Sequence, residues 1–94
     1  MEVVHDEAGS SYRLVVDGET LSHADYHRTV RDGSEVLVFH HTYTRPAVRD
    51  TGLAERVVRF ALDDARARQA KVAATCWFVA DFLRDHQEYA DLLA

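Results

Sequence analysis

Apolar and polar positions alternate with a period of two through the first third of the chain. Tyr12-Arg13-Leu14-Val15-Val16 runs into Asp17-Gly18, and Glu19-Thr20-Leu21-Ser22-His23-Ala24-Asp25-Tyr26 runs out of it. Asp-Gly between two extended runs predicts a two-residue type I′ turn, because both central residues take positive φ. That register sets Val16 opposite Glu19, Leu14 opposite Leu21 and Tyr12 opposite His23. A second reversal is marked by Arg31-Asp32-Gly33-Ser34. A short first strand, Glu2 to Asp6, is set off by Gly9-Ser10.

The next strand differs in character. In Glu35-Val36-Leu37-Val38-Phe39-His40-His41-Thr42-Tyr43, Val36, Val38 and His40 point to one face and Leu37, Phe39 and His41 to the other. Both faces are apolar, which predicts a central strand covered on both sides. Pro46 cannot donate to a ladder and ends it. From Gly52 to Gln69 the period becomes 3.6: Leu53, Val57, Ala61 and Ala65 form a stripe that Ala54, Val58 and Leu62 widen. Lys71 to Cys76 reads as a short buried strand, Phe78 to His86 as a second helix, and Glu88 to Leu93 as a closing helical turn. Strand, helix and strand in succession predict a βαβ unit with parallel strands and a right-handed crossover. Its strand ends bring His41-Thr42, Cys76 and the turn from Arg49 to Ala54 to one sheet edge, where open α/β sheets bind ligands.

Composition narrows the picture. Ninety-four residues without linker or repeat predict a single domain over 1–94. No apolar run approaches the ~20 residues of a membrane span, and the acidic stretch Met1 to Glu7 does not read as a secretory signal, so none is expected there. One Cys fits a reducing cytoplasm, so a cytoplasmic location is expected. A net charge of −5 argues against a general nucleic-acid binder.

The candidate chemistry lies between Thr42 and Ala54. A strand, a tight turn and a helix start gather unpaired backbone N–H groups at a positive dipole end, which suits an anionic phosphate. Gly52 allows close approach and Arg49 or Arg45 supplies charge. The plainer reading is an ordinary helix start capped by Asp50 or Thr51. Cys76 is either a small buried hydrophobe or a thiol beside a reacting group, with His41 the available base if both share a face. His40 reads as a satisfied core histidine. Adjacent strand residues point apart, and His23 and His27 have helix spacing on a strand, so no metal site is expected.

Arg49-Asp50-Thr51-Gly52-Leu53-Ala54 resembles the R-G-x-G-[IL]-A turn of GCN5-related N-acetyltransferases. Cys76-Trp77-Phe78-Val79 is similar to the C-x-F-V segment of their short single-domain members, and His86 to Leu93 to H-P-E-Y-x-D-L. The resemblance covers residues 41 to 93 and implies the acyl-CoA N-acyltransferase fold: a mixed sheet of antiparallel N-terminal strands, then the βαβ unit and C-terminal helices. It further implies that the strands ending at Thr42 and Cys76 splay to admit the pantetheine arm of acetyl-CoA. Thr42, Tyr43 and Thr44 are expected to bind the cofactor, with backbone N–H groups beside them polarising the thioester oxygen, and the resemblance sets Arg49, Asp50, Thr51, Gly52, Leu53 and Ala54 against the pyrophosphate. His41 and Cys76 match positions near the thioester.

Three departures stand out: Asp50 for the first Gly of the turn, Thr44 for Val, and Gln87 for Pro. A carboxylate ~6 Å from a pyrophosphate charge costs roughly 0.7–3 kcal/mol per pair, up to about a hundredfold in affinity. Gln87 should let the second helix continue where Pro would break it. Two functions fit. One is an acetyltransferase in which an amine, on a small molecule or a protein, is deprotonated by His41 as general base or by a water and attacks the thioester directly, with a Cys76 acyl-enzyme as a minor variant. The other is a non-catalytic acyl-CoA-binding or protein-interaction module on the same scaffold.

Overall fold

The computed structural model describes residues 1–94. Five strands form one sheet in chain order: β1 (Glu2–Asp6), β2 (Ser11–Val16), β3 (Glu19–Arg31), β4 (Ser34–Thr44) and β5 (Lys71–Ala74). The first four are antiparallel neighbours and β4–β5 is parallel, so the sheet is mixed as expected. Both reversals are the Asp-Gly turns expected, with positive φ at Asp17, Gly18, Asp32 and Gly33. Helix α1 (Leu53–Ala67) crosses from β4 to β5, and α2 (Trp77–Asp85) follows.

One apolar cluster joins Leu37 and Phe39 of β4, Val72 of β5, the α1 stripe from Leu53 to Ala65, and Val79, Phe82 and Leu83 of α2. Each Leu or Val buried there contributes roughly 1.5–3 kcal/mol, which holds α1 in place more than propensity does. Tyr89 and Leu92, from the closing 3₁₀ segment Gln87–Leu92, enter the same cluster. Every helix therefore lies on one side of the sheet. Val36 and Val38 are buried on the opposite face, but outside that cluster, and no helix covers them. The expectation that β4 is covered on both sides fails in that respect: burial between neighbouring strands and their side chains suffices for two valines near the sheet's β5 edge.

Two bulges change the expected register. Val16 pairs with Glu19 as expected, but Leu14 pairs with Ser22 and Tyr12 with Ala24, which leaves Leu21 as an extra residue. The shift has a physical reason. The regular register would place His23 and Asp25 under α1, whereas the bulge puts Ser22, Ala24 and Tyr26 there and keeps the polar pair outside. The Leu21 carbonyl then accepts from the Arg45 N–H at 2.9 Å, which fixes the end of β4. In β4, Asp25 pairs with His41 and Tyr26 with Phe39, so His40 is extra.

Helix α2 begins at Trp77 and stops at Asp85 despite Gln87. The His86 Nδ1–H donates to the Phe82 carbonyl at 2.8 Å and the Gln87 amide to that of Arg84 at 2.8 Å. Side chains thus take the carbonyls that a further helical turn would use. On the other flank, the Tyr12 hydroxyl donates to Asp64 of α1 at 2.6 Å, and His5 stacks on the Tyr12 ring at 4.1 Å. Burial and then the Asp64 carboxylate push the Tyr12 hydroxyl well above the usual phenol range. Tyr26 and Tyr89 are also raised, chiefly by burial.

Candidate functional site

Strand β5 pairs with β4 only from Val36 to Phe39. The Phe39 carbonyl accepts from both Thr75 and Cys76, at 2.9 and 3.2 Å, and there the two strands part. Beyond that point His41 to Thr44 pair with β3 alone, leaving a wedge on the β5 side. The wedge opens where the His40 bulge lies. Cys76 and His41 thus sit at the same end of the sheet, as parallel strands require.

The bulge also decides what faces what. Without it His41 would share the helix-covered face with Phe39. Instead Thr42 occupies that face, its Oγ1 3.5 Å from the Cys76 Sγ, while His41 turns to the uncovered face. His41 is therefore not positioned as a base for the Cys76 thiol. His40 is no core histidine either: it is exposed and stacks on His27 at 5.7 Å between ring centroids. In a bulge two successive side chains emerge on one side, so the expectation that His40 and His41 point apart is corrected. No group of three His, Cys, Asp or Glu gathers in a geometry able to hold a metal ion.

After β4 the chain makes a 3₁₀ turn, Pro46–Val48, and reaches α1 through Asp50 at φ 65° and Gly52 at φ 83°. Both are left-handed, a conformation Gly takes freely and Asp better than most. Neither Asp50 nor Thr51 caps the helix: Gly52 is the N-cap, with no side-chain cap bond, and the Thr51 hydroxyl donates to Val48. The first α1 amide to reach a helical carbonyl is that of Arg56, bonded to Gly52 at 3.2 Å. The N–H groups of Leu53, Ala54 and Glu55 are left without protein partners at the positive end of the helix.

These amides face a cavity of about 410 Å³. Thr42, Tyr43 and Thr44 line its strand side, and Arg49, Asp50, Gly52, Leu53 and Ala54 its turn side. Arg49 is fixed by its Nε–H to the Thr44 carbonyl at 2.8 Å and lies 5.6 Å over the Tyr43 ring. Arg45 is turned away into a pair with Glu19 at 2.8 Å. Of the expected phosphate-turn residues, Thr51 alone does not line the cavity; its hydroxyl instead braces the turn.

Sequence reasoning missed Val48, Glu55, Trp77 and Phe78, which complete the lining. Trp77, 74% exposed and the chain's one tryptophan, directly follows Cys76, and that adjacency was the available signal. Also missed was a pair on the uncovered face. The His23 Nδ1 lies 3.0 Å from the Asp25 Oδ1, which accepts from the Ser11 hydroxyl at 2.7 Å. The His23 ring is 5.8 Å from that of His41 and 5.7 Å from that of Tyr43.

A family model described as GCN5-related N-acetyl-transferase matches residues 11–92. No curated protein matches the chain. Among solved structures, a GCN5-like putative N-acetyltransferase from Staphylococcus aureus superposes with a TM-score of 0.68 at 17% identity, over 99% of this chain and 87% of its own. A ribosomal-protein-alanine N-acetyltransferase from Brucella melitensis biovar Abortus 2308 gives 0.63 at 19% identity, over 70% of this chain and 48% of its own. An aminoglycoside N-acetyltransferase in complex with CoA gives 0.56 at 20% identity, over 84% and 57%. The chain thus spans about half the length of the last two proteins, and the likeness to all three is one of fold.

Proposed function

Because the chain belongs to the GCN5-related N-acetyltransferase family, we propose that residues 1–94 act as a single domain that binds acetyl-CoA in the β4–β5 wedge and transfers its acetyl group to an amine. One observation carries this reading: the residues of the unpartnered α1 amides, Arg49, the free end of β4 and the first residues of α2 border one cavity where β4 parts from β5. The amides from Leu53 to Glu55 and the Arg49 charge suit a pyrophosphate. The pantetheine arm, itself an amide chain, suits the strand edge from Thr42 to Thr44. Backbone N–H groups there polarise the thioester carbonyl. Cys76 and Thr42 border the reacting end from the helix-covered side, and His41 from the uncovered side, by which the amine enters and attacks directly.

Asp50 and Glu55 oppose this fit, since both acidic residues are part of the cavity's lining. They favour the second reading, a module that binds acyl-CoA weakly without transfer. Thermal unfolding with and without acetyl-CoA tests the site: ligand at a hundred times its Kd adds ~2.7 kcal/mol. Absence of any stabilisation at millimolar acetyl-CoA overturns both readings. Stabilisation without CoA-thiol release over a broad amine panel selects the module.

A further inference from the structure

Four histidines, His23, His27, His40 and His41, project on the face of the sheet that no helix covers. Only His23 among them has a carboxylate fixing its ring. A carboxylate can only accept, so the Asp25 Oδ1 at 3.0 Å from the His23 Nδ1 places the proton on that nitrogen. Nε2 then carries the free lone pair. Asp25 is itself held by Ser11, which is buried, through the 2.7 Å hydroxyl bond. A hydroxyl, a carboxylate and an imidazole thus stand in line, and the imidazole lies one ring from Tyr43, a wall of the cavity.

We propose that His23, oriented by Asp25, is the base that receives the proton of the acceptor amine. The proposal rests on the acetyltransferase reading above. His23 Nε2 takes one proton from the entering ammonium group. The freed lone pair forms the C–N bond to the acetyl carbon as its C–S bond breaks. The departing CoA thiolate takes the second nitrogen proton, and His23 returns its own to solvent. His23 is the catalytic residue here and Asp25 a positioning residue. Groups facing the imidazole are Asp25 on its own strand, Ser11 and Arg13 on β2, and His41 and Tyr43 on β4.

The test has three readings on the full chain. Nitrogen-15 NMR of the ligand-free protein should show the neutral form of His23 as the Nδ1–H tautomer; the Nε2–H tautomer overturns the proposal. With acetyl-CoA and either benzylamine or a lysine-bearing peptide, His23→Gln should lower kcat by about a hundredfold or more and flatten the acid limb of the pH profile. Asp25→Asn should lower kcat and be rescued by Asp25→Glu, while His27→Gln on the same face changes neither kcat nor the profile. Acetyl-CoA affinity should be the same in all variants. Loss of the acid limb in His41→Gln but not in His23→Gln overturns the proposal. Acetyl-CoA binding by the wild type without transfer to either amine also overturns it, yet leaves the cavity reading intact. Loss of acetyl-CoA binding by the wild type would refute the cavity reading itself.

Discussion

Asp50 is one of three places where this chain departs from the pattern it resembles, and its geometry reverses one expectation. A capping Asp50 would have traded helix stability against phosphate binding. It caps nothing and holds φ 65°, a conformation glycine takes without strain. Asp50→Gly should therefore tighten CoA binding and raise apo stability by up to about 1 kcal/mol, both effects in the same direction. The binding gain should shrink with salt, since exposed charges are screened over ~10 Å at 0.1 M. Titrations at low and high salt, with melting curves of both proteins, check this; a destabilised Gly variant contradicts it. Gly52 makes the converse case. At φ 83° a Cβ meets open space rather than a clash, so Gly52→Ala costs about 1 kcal/mol through backbone strain alone. Its methyl also stands beside the amides of α1, and CoA affinity should fall with it.

At the scale of elements, α1 both carries the core and presents its amides to the cavity. Leu62 lies mid-helix, fully buried against the sheet. Leu62→Ala should cost about 2–5 kcal/mol by urea unfolding. At temperatures where the variant remains folded, CoA affinity should change little, because the amides sit two turns away at the helix start. A loss under 1 kcal/mol would mean the packing of α1 on the sheet is looser than described. The bulge at His40 is the second decisive element. One extra residue there exchanges the faces of everything from His41 to Thr44. Thr42 thereby reaches Cys76, and His41 is freed for the open face.

The molecule as a whole is a sheet covered on one side, and tyrosines on two different elements tie it to α1, Tyr12 through Asp64 and Tyr89 through Asp63. Tyr12, Tyr26 and Tyr89 are all raised above the ordinary phenol value. Above pH ~10 the unfolded chain releases phenolic protons that the folded one retains, so stability declines as pH rises. Each such proton contributes a slope of about 1.4 kcal/mol per pH unit. Below pH ~10 both states keep these protons and the contribution is complete. Tyr12→Phe should make the alkaline decline shallower by about one proton, while weakening the protein at neutral pH through the lost bond to Asp64. Urea unfolding between pH 8 and 11 measures both; an unchanged slope would remove Tyr12 from the balance.

Local patterns were strong enough to specify the elements. Asp17-Gly18 and Asp32-Gly33 demand positive φ, Pro46 stops a strand, and the stripe from Leu53 to Ala65 demands a helix against a sheet. The parallel β4–β5 pair and the gathering of Thr42, Cys76 and Gly52 follow from that order by chain connectivity. The faces did not follow. Strict alternation assigned His41 to the helix side and Tyr12 to His23, because a bulge leaves no mark in a run of residues that all tolerate extended backbone. The cost of burying His23 and Asp25 beneath α1, set against one unpaired residue at Leu21, exists only once helix and sheet are packed together. The sequence by itself determined which elements form and which edge they share. Tertiary packing decided the register, and with it which histidine meets a carboxylate.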